Sequence, residues 1–466
     1  MTVRAVAAVD LGATSGRVMI GRIGDGRLDL ELVSRFPNGP VERDDGLHWD
    51  FSALYENVVA GLAEAVRREP GIESIGIDSW AVDYGLMADG ELLAEPFHYR
   101  DDRTARGVDE VHAVAPFAEL YQRNGLQFLP FNTLYQYRVD PRLPEAEVAL
   151  LVPDLIAFFL TGVAVAERTN ASTTGLLGVT TGEWDAELAD RLGIPSRVLP
   201  PLVDPGTVIG ALRPELAQRI GAALPVIAVG SHDTASAVAA VPLSSPHSAY
   251  ISCGTWGLVG VELAEPVLTD AARAANFTHE RGVDRRYRFL HNVTGLWLLS
   301  ETVRAWESED GAAIDLPSLL DQASGVGGDV PLFDANDPSV SAPGDMPARI
   351  AALLGDDAPT SRPAFARSIV ESIAAAFAAA VRTAEGLTGR EVDSIHLVGG
   401  GSLNRLLCQA TADRTGLPVL AGPVEATALG NVLVQARARG AAPAALEDLR
   451  ALVAATHAPE LFAPRS

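Results

Sequence analysis

Residues 3–22 read VRAVAAVDLGATSGRVMIGR, in which two apolar runs flank the polar, glycine-containing stretch DLGATSGR at 10–17. Apolar runs that meet at a glycine-bearing turn are typical of a β-hairpin. A third apolar run at 28–36 follows the turn formed by Asp25 and Gly26. These residues therefore predict consecutive antiparallel strands, with the first turn at 10–17.

The pattern changes after this meander. Apolar residues take helical spacing from Phe51 to Arg67, with Asp50 or Ser52 as the N-cap, and a further apolar strand runs from Ile72 to Ile77. A meander followed by a helix and a strand predicts an α/β fold, in which helices flank a mixed sheet.

The second half of the chain repeats this plan. A second glycine-bounded turn, 253–257, lies between two strand-like runs, and the glycine run 399–402 joins a strand to a helix. The repetition predicts two domains of one kind, 1–240 and 241–466, with a phosphate-type hairpin in each.

Three other stretches carry structural predictions. The most apolar helix-like run, 149–160, is interrupted by Pro153 and Asp154, and it is too short and too polar to span a bilayer. The stretch 324–347, rich in Gly, Pro and Asp, predicts a loop region, and the Ala-rich stretch 364–387 predicts a long helix.

Composition excludes several classes of protein. All 36 basic residues are arginine, which excludes a Walker A loop, a protein-kinase lysine and Schiff-base chemistry. The 60 acidic residues give a net charge of −24, which disfavours nucleic acid and anionic membranes as partners. Two cysteines and the lack of a signal-peptide pattern favour the cytoplasm.

The first turn offers groups that suit a phosphate. Its small residues allow backbone N–H groups to form an anion nest, and the hydroxyls of Thr14 and Ser15 add donors. Arg17 supplies a planar fork for phosphate oxygens, and Asp10 could hold a hydrated Mg²⁺ ion. The alternative is a plain hairpin in which Asp10 only bonds the turn.

Two further turns make nucleotide binding the better interpretation. Thr255 lies in the second hairpin between Gly254 and Gly257, in a place equivalent to the first turn. The run from Gly399 to Ser402 precedes a helix, whose N-terminus favours anions. Taken alone, this run could equally be a flexible turn.

A carboxylate follows the apolar run 226–229. Asp233 is either a helix N-cap or a general base that accepts a proton from a hydroxyl attacking phosphorus. His232 is more typical of a core or hydrogen-bonding histidine than of a ligand.

Together these motifs resemble those of the FGGY carbohydrate kinases, members of the actin/hexokinase-like ATPase superfamily. The resemblance runs from residue 3 to about 440, and the stretches FLPFNTLYQ at 128–136 and SHDTASA at 231–237 are its most specific parts. Weaker matches lie at 74–80, 99–104, 169–174, 254–257, 292–299 and 399–404.

The resemblance implies a fold and an activity. The expected fold has two ribonuclease-H-like domains with an interdomain cleft that holds sugar and ATP. The expected activity is ATP-dependent, Mg²⁺-assisted phosphorylation of the carbon-1 hydroxyl of L-rhamnulose in rhamnose degradation. The alternatives are another sugar kinase of this family, acting on L-fuculose, xylulose or glycerol, and an actin- or chaperone-like ATPase.

The resemblance also assigns roles to residues. Asp233 would be the proton acceptor and Asp10 would lie near the metal. The residues expected to contact the sugar are Ala81, His232, Asp233, Thr234 and Asn292. The residues expected to contact ATP are Ala13, Thr14, Ser15, Gly16, Arg17, Thr255, Ser300 and Gly400.

Three positions depart from the family pattern. Ala81 replaces a common Gly, which would tighten the sugar pocket slightly. Ser300 replaces an expected Gln, so its nucleotide contact would be shorter or water-mediated. Cys253 replaces a usual Ser beside the second hairpin.

Overall fold

The computed structural model describes residues 3–243, 245–341 and 344–465. These residues form two compact units. The first comprises Met1–Ala240, Leu263–Phe289 and Ala426–Thr456, and the second comprises Val241–Glu262, Leu290–Glu425 and His457–Ser466. The predicted domains include six residues that the structure does not describe: 1, 2, 244, 342, 343 and 466. The predicted domain boundary at 240/241 stays a prediction.

The strands and helices follow in chain order. The strands are β1 Arg4–Leu11, β2 Ser15–Gly24, β3 Arg27–Pro37, β4 Pro40–Arg43, β5 Gly46–Trp49, β6 Ile72–Ser79, β7 Tyr84–Ala88, β8 Glu91–Leu92, β9 Val148–Leu151, β10 Ala166–Glu167, β11 Leu202–Val203, β12 Val208–Ala211, β13 Pro225–Ile227, β14 Ser248–Cys253, β15 Trp256–Leu263, β16 Thr278–Arg281, β17 Tyr287–Thr294, β18 Ser394–Val398, β19 Val419–Ala421 and β20 Glu460–Phe462. The helices are α1 Phe51–Arg68, α2 Thr104–Val114, α3 Phe117–Asn124, α4 Thr133–Val139, α5 Val152–Thr161, α6 Arg168–Ala171, α7 Ala186–Arg191, α8 Pro214–Ile220, α9 Asp233–Ala240, α10 Asp270–Ala274, α11 Trp297–Asp310, α12 Leu316–Ser324, α13 Met346–Leu354, α14 Arg362–Thr388, α15 Arg405–Thr415, α16 Ala426–Ala438 and α17 Leu446–Thr456.

The first unit is built on a mixed sheet with the strand order β12-β13-β6-β1-β2-β3. Strand β1 pairs antiparallel with β2 and parallel with β6. Both of its faces are buried: Val9 and Leu11 pack in one core with α1, while Val6 and Ala8 pack in a second core with α16. Alternating side chains therefore explain why β1 is apolar at nearly every position.

The second unit contains the strand order β17-β15-β14-β18-β19-β20. Strand β14 pairs antiparallel with β15 and parallel with β18, so its surroundings match those of β1 in the first unit. Each unit thus carries a hairpin whose first strand also pairs with a parallel neighbour. The α/β class and the repeated hairpin agree with the sequence predictions.

Two sequence predictions need correction. Residues 149–160 are not one interrupted helical run but strand β9 followed directly by α5. Pro153 lies in the first turn of α5, where a missing N–H costs nothing because no intrahelical partner exists there. The predicted loop at 324–347 is correct for most of its described length, but α12 ends at Ser324, a 3₁₀ turn forms at Pro338–Val340 and α13 begins at Met346. Residues 342 and 343 of this stretch lie outside the described residues.

Helix α14 is the one helix, among the residues searched, that is long and apolar enough to cross a membrane. The buried share of its most apolar window is 72%. Phe377 and Ala378 are fully buried along it. Its apolar character is therefore explained by packing within the protein.

Candidate active site

The turn between β1 and β2 is held by its own backbone. Gly12 N–H donates to Ser15 O at 2.9 Å, and Asn38 donates to the carbonyls of Thr14 and Gly12 at 3.1 and 2.9 Å. Thr14 is exposed at the tip. Bonds to the carbonyls leave a fixed turn whose exposed side can receive an anion.

Two predicted ATP contacts in this hairpin also have packing roles. Ala13 lies partly buried against the first core. At Gly16, an added Cβ would lie 2.2 Å from the Phe36 ring, so only glycine fits there. Close packing against Phe36 therefore explains why residue 16 is a glycine.

Strand pairing sets two carboxylates beside each other. Asp10 lies opposite Arg17 on β2 and opposite Asp78 on β6. Arg17 Nη2 donates to Asp10 Oδ2 at 2.5 Å, and Asn431 Nδ2 donates to Asp78 Oδ2 at 2.5 Å. Arg17 thus contacts Asp10, in addition to any phosphate it would bind.

Asp78 is a residue that the sequence reasoning missed. It is fully buried, and its Oδ1 has no hydrogen-bond partner among the described residues. Burial, and next the charge of Asp10, raise the pKa of Asp78 well above its usual value. Two neighbouring carboxylates with an unpartnered oxygen suit a hard cation, which would offset their repulsion.

No group of three or more His, Cys, Asp or Glu side chains in the described part of the chain could enclose a metal ion. Mg²⁺ usually keeps several waters and binds through one or two carboxylates and the phosphates of its ligand. The donor set at Asp10 and Asp78 is of that kind.

Asp233 is the first residue of α9 and is partly exposed. Its Oδ1 accepts from the N–H of Thr234 at 2.5 Å and from the Thr234 hydroxyl at 3.0 Å. His232 lies beside it, with Nε2 at 3.4 Å from the same oxygen. The carboxylate is therefore held in place by neighbours that contact one of its oxygens, Oδ1.

A buried carboxylate, missed from the sequence, anchors the segment that carries Asp233. Glu167 accepts from Ser231 N and Oγ, both at 2.9 Å, and from Thr169 N at 2.8 Å. The Thr169 hydroxyl donates to it at 2.5 Å, and His232 N–H donates to that hydroxyl at 3.3 Å. Burial raises the pKa of Glu167. The motif at 169–174 thus supports the backbone of 231–232.

The segment at Ala81 is fixed by a second buried acid. Val82 adopts a positive φ of 68°, and Thr133 and Gln136 donate to its carbonyl at 2.7 and 3.3 Å. Asp83 accepts from Gln136 at 3.0 Å and from two indole N–H groups, and burial raises its pKa to about 6. The motif at 128–136 therefore holds this strained backbone in place.

The hairpin of the second unit has a similar construction. Gly254 N–H donates to Trp256 O at 2.8 Å, and Trp297 N–H donates to Thr255 O at 3.2 Å. Gly295 packs directly on the hairpin, since an added Cβ would lie 2.6 Å from the Trp256 carbonyl carbon. Thr255 is partly exposed at the tip.

The glycine run after β18 has one open position. Gly400 is exposed and an added Cβ would meet nothing within 4 Å, whereas at Gly401 it would lie 2.5 Å from Cys253 Sγ. Gly399 has a φ of 82°. Cys253 therefore packs beneath the run, and Gly400 is the residue of the three that faces outward.

The predicted residues divide between the units. In the first unit, Asp10 and the 13–17 turn lie on the same sheet as β6, the strand that precedes Ala81. An isolated β-bridge pairs Ser79, at the end of β6, with His232. The second unit holds Thr255, the partly buried Asn292, the exposed Ser300 and Gly400. The residues of the first unit lie on one sheet because β1 and β6 are parallel neighbours.

Two hairpins of this construction, each on a mixed sheet flanked by helices, define a sugar-kinase and actin-like class of ATPase. Residues 5–240 match the N-terminal domain of the FGGY family of carbohydrate kinases, and residues 249–439 match its C-terminal domain. The chain belongs to the FGGY family of carbohydrate kinases, and it has the two-domain α/β fold of that family.

Curated relatives are similar over nearly the whole chain. A rhamnulokinase of Bacteroides thetaiotaomicron is 39% identical, covering 93% of this chain and 91% of the relative. A rhamnulokinase of Bacillus subtilis is 37% identical, covering 92% and 89%. A rhamnulokinase of Pectobacterium carotovorum is 40% identical, covering 95% and 89%.

Solved structures share the fold at lower identity. A gluconate kinase from Lactobacillus acidophilus has a TM-score of 0.79 at 18% identity, covering 100% of this chain and 94% of that one. Plasmodium falciparum glycerol kinase with ADP has a TM-score of 0.79 at 16% identity, covering 99% and 94%. At these identities the likeness describes the fold.

Proposed function

We propose that this carbohydrate kinase transfers the γ-phosphoryl group of ATP to the carbon-1 hydroxyl of L-rhamnulose. The products would be L-rhamnulose 1-phosphate and ADP. The observation that carries the reaction type is Asp233, a carboxylate fixed at the start of α9 by Thr234. The choice of sugar is supported by the rhamnulokinases that are 37–40% identical over nine-tenths of the chain.

The proposed mechanism gives Asp233 the role of general base. Its Oδ2 would accept the proton of the carbon-1 hydroxyl as that oxygen attacks phosphorus. We assign the contacts to the sugar to Ala81, His232, Thr234 and Asn292. We assign the contacts to ATP to Ala13, Thr14, Ser15, Gly16, Arg17, Thr255, Ser300 and Gly400.

We also propose a Mg²⁺ ion at Asp10 and Asp78. The unpartnered Oδ1 of Asp78, which lies opposite Asp10 on the neighbouring strand, supports this assignment. When bound, the ion would neutralise phosphate charge. Asn431 would keep Asp78 oriented, since its own amide oxygen accepts from Gln435 at 2.6 Å.

The wider setting follows from the same features. We propose that 1–240 and 241–466 act as the N- and C-terminal kinase domains and that the protein works in the cytoplasm. Its net charge of −24 supports small molecules, rather than nucleic acid or membranes, as partners. Both cysteines, Cys253 and Cys408, are free and buried, as expected in a reducing compartment.

A substrate panel tests the proposed sugar. ADP release is measured with L-rhamnulose, L-fuculose, xylulose and glycerol, each at several concentrations and with ATP saturating. L-Rhamnulose is expected to give the highest kcat/KM. A higher kcat/KM for another acceptor would replace L-rhamnulose with that acceptor. ATP hydrolysis that is unaffected by every acceptor would instead favour an actin- or chaperone-like ATPase.

Replacing Arg17 with Ala is expected to raise the KM for ATP about tenfold, because a charged hydrogen bond is worth about 1.5–3 kcal/mol. The variant should also lose stability. The Asp10 side chain is only 5% exposed, and it would lose the charged hydrogen bond from Arg17. We expect the free energy of unfolding to fall by about 1–3 kcal/mol, less than for a fully buried pair because Arg17 is 25% exposed.

Steady-state kinetics and urea unfolding check this prediction. Arg22→Ala is the matched control, since Arg22 lies on the same strand and pairs with Glu69 at 3.0 Å. The control should lose some stability and keep its KM for ATP. An unchanged KM for ATP in the Arg17 variant would show that the turns bind phosphate without this side chain.

A further inference from the structure

A buried ion pair lies directly behind His232. Glu280 on β16 and Arg288 on β17 have side chains that are 9% and 0% exposed. Arg288 Nη2 lies 3.0 Å from Glu280 Oε2 and 2.9 Å from His232 Nδ1, and Glu280 Oε2 lies 3.2 Å from the same nitrogen. None of the sequence motifs pointed to either residue.

The contact with Arg288 fixes which nitrogen of His232 carries the proton. A guanidinium has only donors, so in a hydrogen bond with Arg288 the Nδ1 atom must accept. Glu280 Oε2, although close, has no hydrogen bond with acceptable geometry among the described residues. With Arg288 as the donor to Nδ1, a neutral His232 ring would carry its proton on Nε2.

The orientation of the ring follows from contacts on both sides. Nδ1 faces the buried pair, while Nε2 lies 3.4 Å from Asp233 Oδ1 on the exposed side. The backbone of His232 is held by the Thr169 hydroxyl at 3.3 Å. The N–H of Nε2 is thus presented where Asp233 and an acceptor sugar would meet.

The ion pair between Glu280 and Arg288 is not explained by a contribution to the stability of the fold. Desolvation of two buried charges usually offsets their attraction, and apolar replacements of similar size are often neutral or stabilising. Although burial opposes ionisation, the Arg288 guanidinium keeps the pKa of Glu280 below its usual value, so the pair is charged. Arg288 Nη1 has no hydrogen-bond partner among the described residues. A pair built in this way is better explained by what it does to His232.

We propose that Arg288, with Glu280 as its counter-ion, is a positioning residue for the acceptor sugar. Arg288 holds His232 as the Nε2–H tautomer, so that His232 donates a hydrogen bond to a sugar hydroxyl beside Asp233. The inference rests on the proposed function for the identity of the acceptor as a sugar. The tautomer of the His232 ring does not depend on the proposed function.

The first variant removes the donor and keeps the volume. In Arg288→Met, Glu280 loses its partner and accepts from His232, which moves the ring proton to Nδ1. Nε2 then presents a lone pair to the sugar. We expect the KM for the acceptor to rise about tenfold, as for the loss of one buried hydrogen bond, with the KM for ATP unchanged.

A second variant separates positioning from folding. Arg288→Met combined with Glu280→Leu removes both buried charges, so the protein should fold even where the single variant does not. His232 then has no partner at Nδ1, and both tautomers become accessible. The acceptor KM should stay raised although the unfolding midpoint returns toward that of the parent protein.

The tautomer is read directly from ¹⁵N shifts of the His232 ring, assigned with a His232→Gln control, without sugar or ATP present. The parent protein is expected to show the Nε2–H form, Arg288→Met is expected to show the Nδ1–H form, and the double variant is expected to show a mixture of the two. The acceptor used for kinetics is the one that the parent phosphorylates fastest in the panel. If no acceptor is phosphorylated, the proposed function fails, but the ring shifts still test the role of Arg288.

Two results would overturn the inference. One is a parent protein whose His232 is protonated at Nδ1. The other is a folded double variant with the acceptor KM of the parent, which would make the ion pair structural only.

Discussion

Replacing Asp233 with Asn is expected to lower kcat for sugar phosphorylation about 10²–10⁴-fold, the usual contribution of a general base. The amide has nearly the same size and can still accept from Thr234 through its oxygen, so the start of α9 should be kept. The atom at the position of Oδ2 becomes an NH₂ group, which cannot take a proton. ATP binding should survive, because the hairpin at 10–17 is unchanged.

The measurement pairs single-turnover phosphorylation with nucleotide binding by calorimetry. Asp270→Asn is the matched control, since Asp270 is also the first residue of a helix but its side chain is 83% exposed. The control should keep both the rate and the binding. Near-normal turnover in the Asp233 variant would remove this residue from the mechanism. Loss of ATP binding would show that Asp233 supports the nucleotide site instead.

Local sequence predicted the elements that local chemistry determines. The hairpin at 10–17, the helix begun by the Asp50 cap and the strand at 394–398 all depend on residues that are neighbours in the chain. Turn glycines, a capping side chain and hydrophobic alternation are enough to specify such elements. The sequence also predicted Asp233 as a candidate site residue, because it follows the apolar run 226–229.

The residues that sequence reasoning missed act over long separations. Asp78 comes beside Asp10 because β1 and β6 are parallel neighbours, and Asn431 reaches Asp78 from α16. The stretch 74–80 resembles the family, but the residues around Asp78 give it no role beyond the end of a strand. Likewise, Glu280 and Arg288 act on His232 from a different hairpin.

The sequence contained part of the evidence for the role of Glu167. Glu167 lies two residues before the motif at 169–174, and a side-chain oxygen just before a helix can accept from its unpaired N–H groups. The structure shows such a cap, with Glu167 accepting from Thr169 and Asn170. Its bonds to Ser231 required the tertiary structure.

Glu167→Ala is expected to have the largest effect on stability. The variant removes the acceptor for the buried N–H groups of Thr169 and Ser231 and for both of their hydroxyls. Each buried donor left without a partner costs about 1–3 kcal/mol, partly offset by the release of a buried charge. We expect the free energy of unfolding to fall by about 3–5 kcal/mol, the range of a broken buried network.

The same substitution should lower kcat, because the anchored segment leads directly into His232 and Asp233. A displacement of about 1 Å at a reacting group can cost about 10²-fold in rate. The rate is measured well below the unfolding midpoint, so that the folded fraction does not limit it. Glu183→Ala, which removes an exposed acid that pairs with Arg168 at 3.0 Å, is the control and should change neither quantity much. If the Glu167 variant loses stability but keeps its kcat, then Glu167 supports the fold alone and Asp233 is positioned by Thr234 and α9.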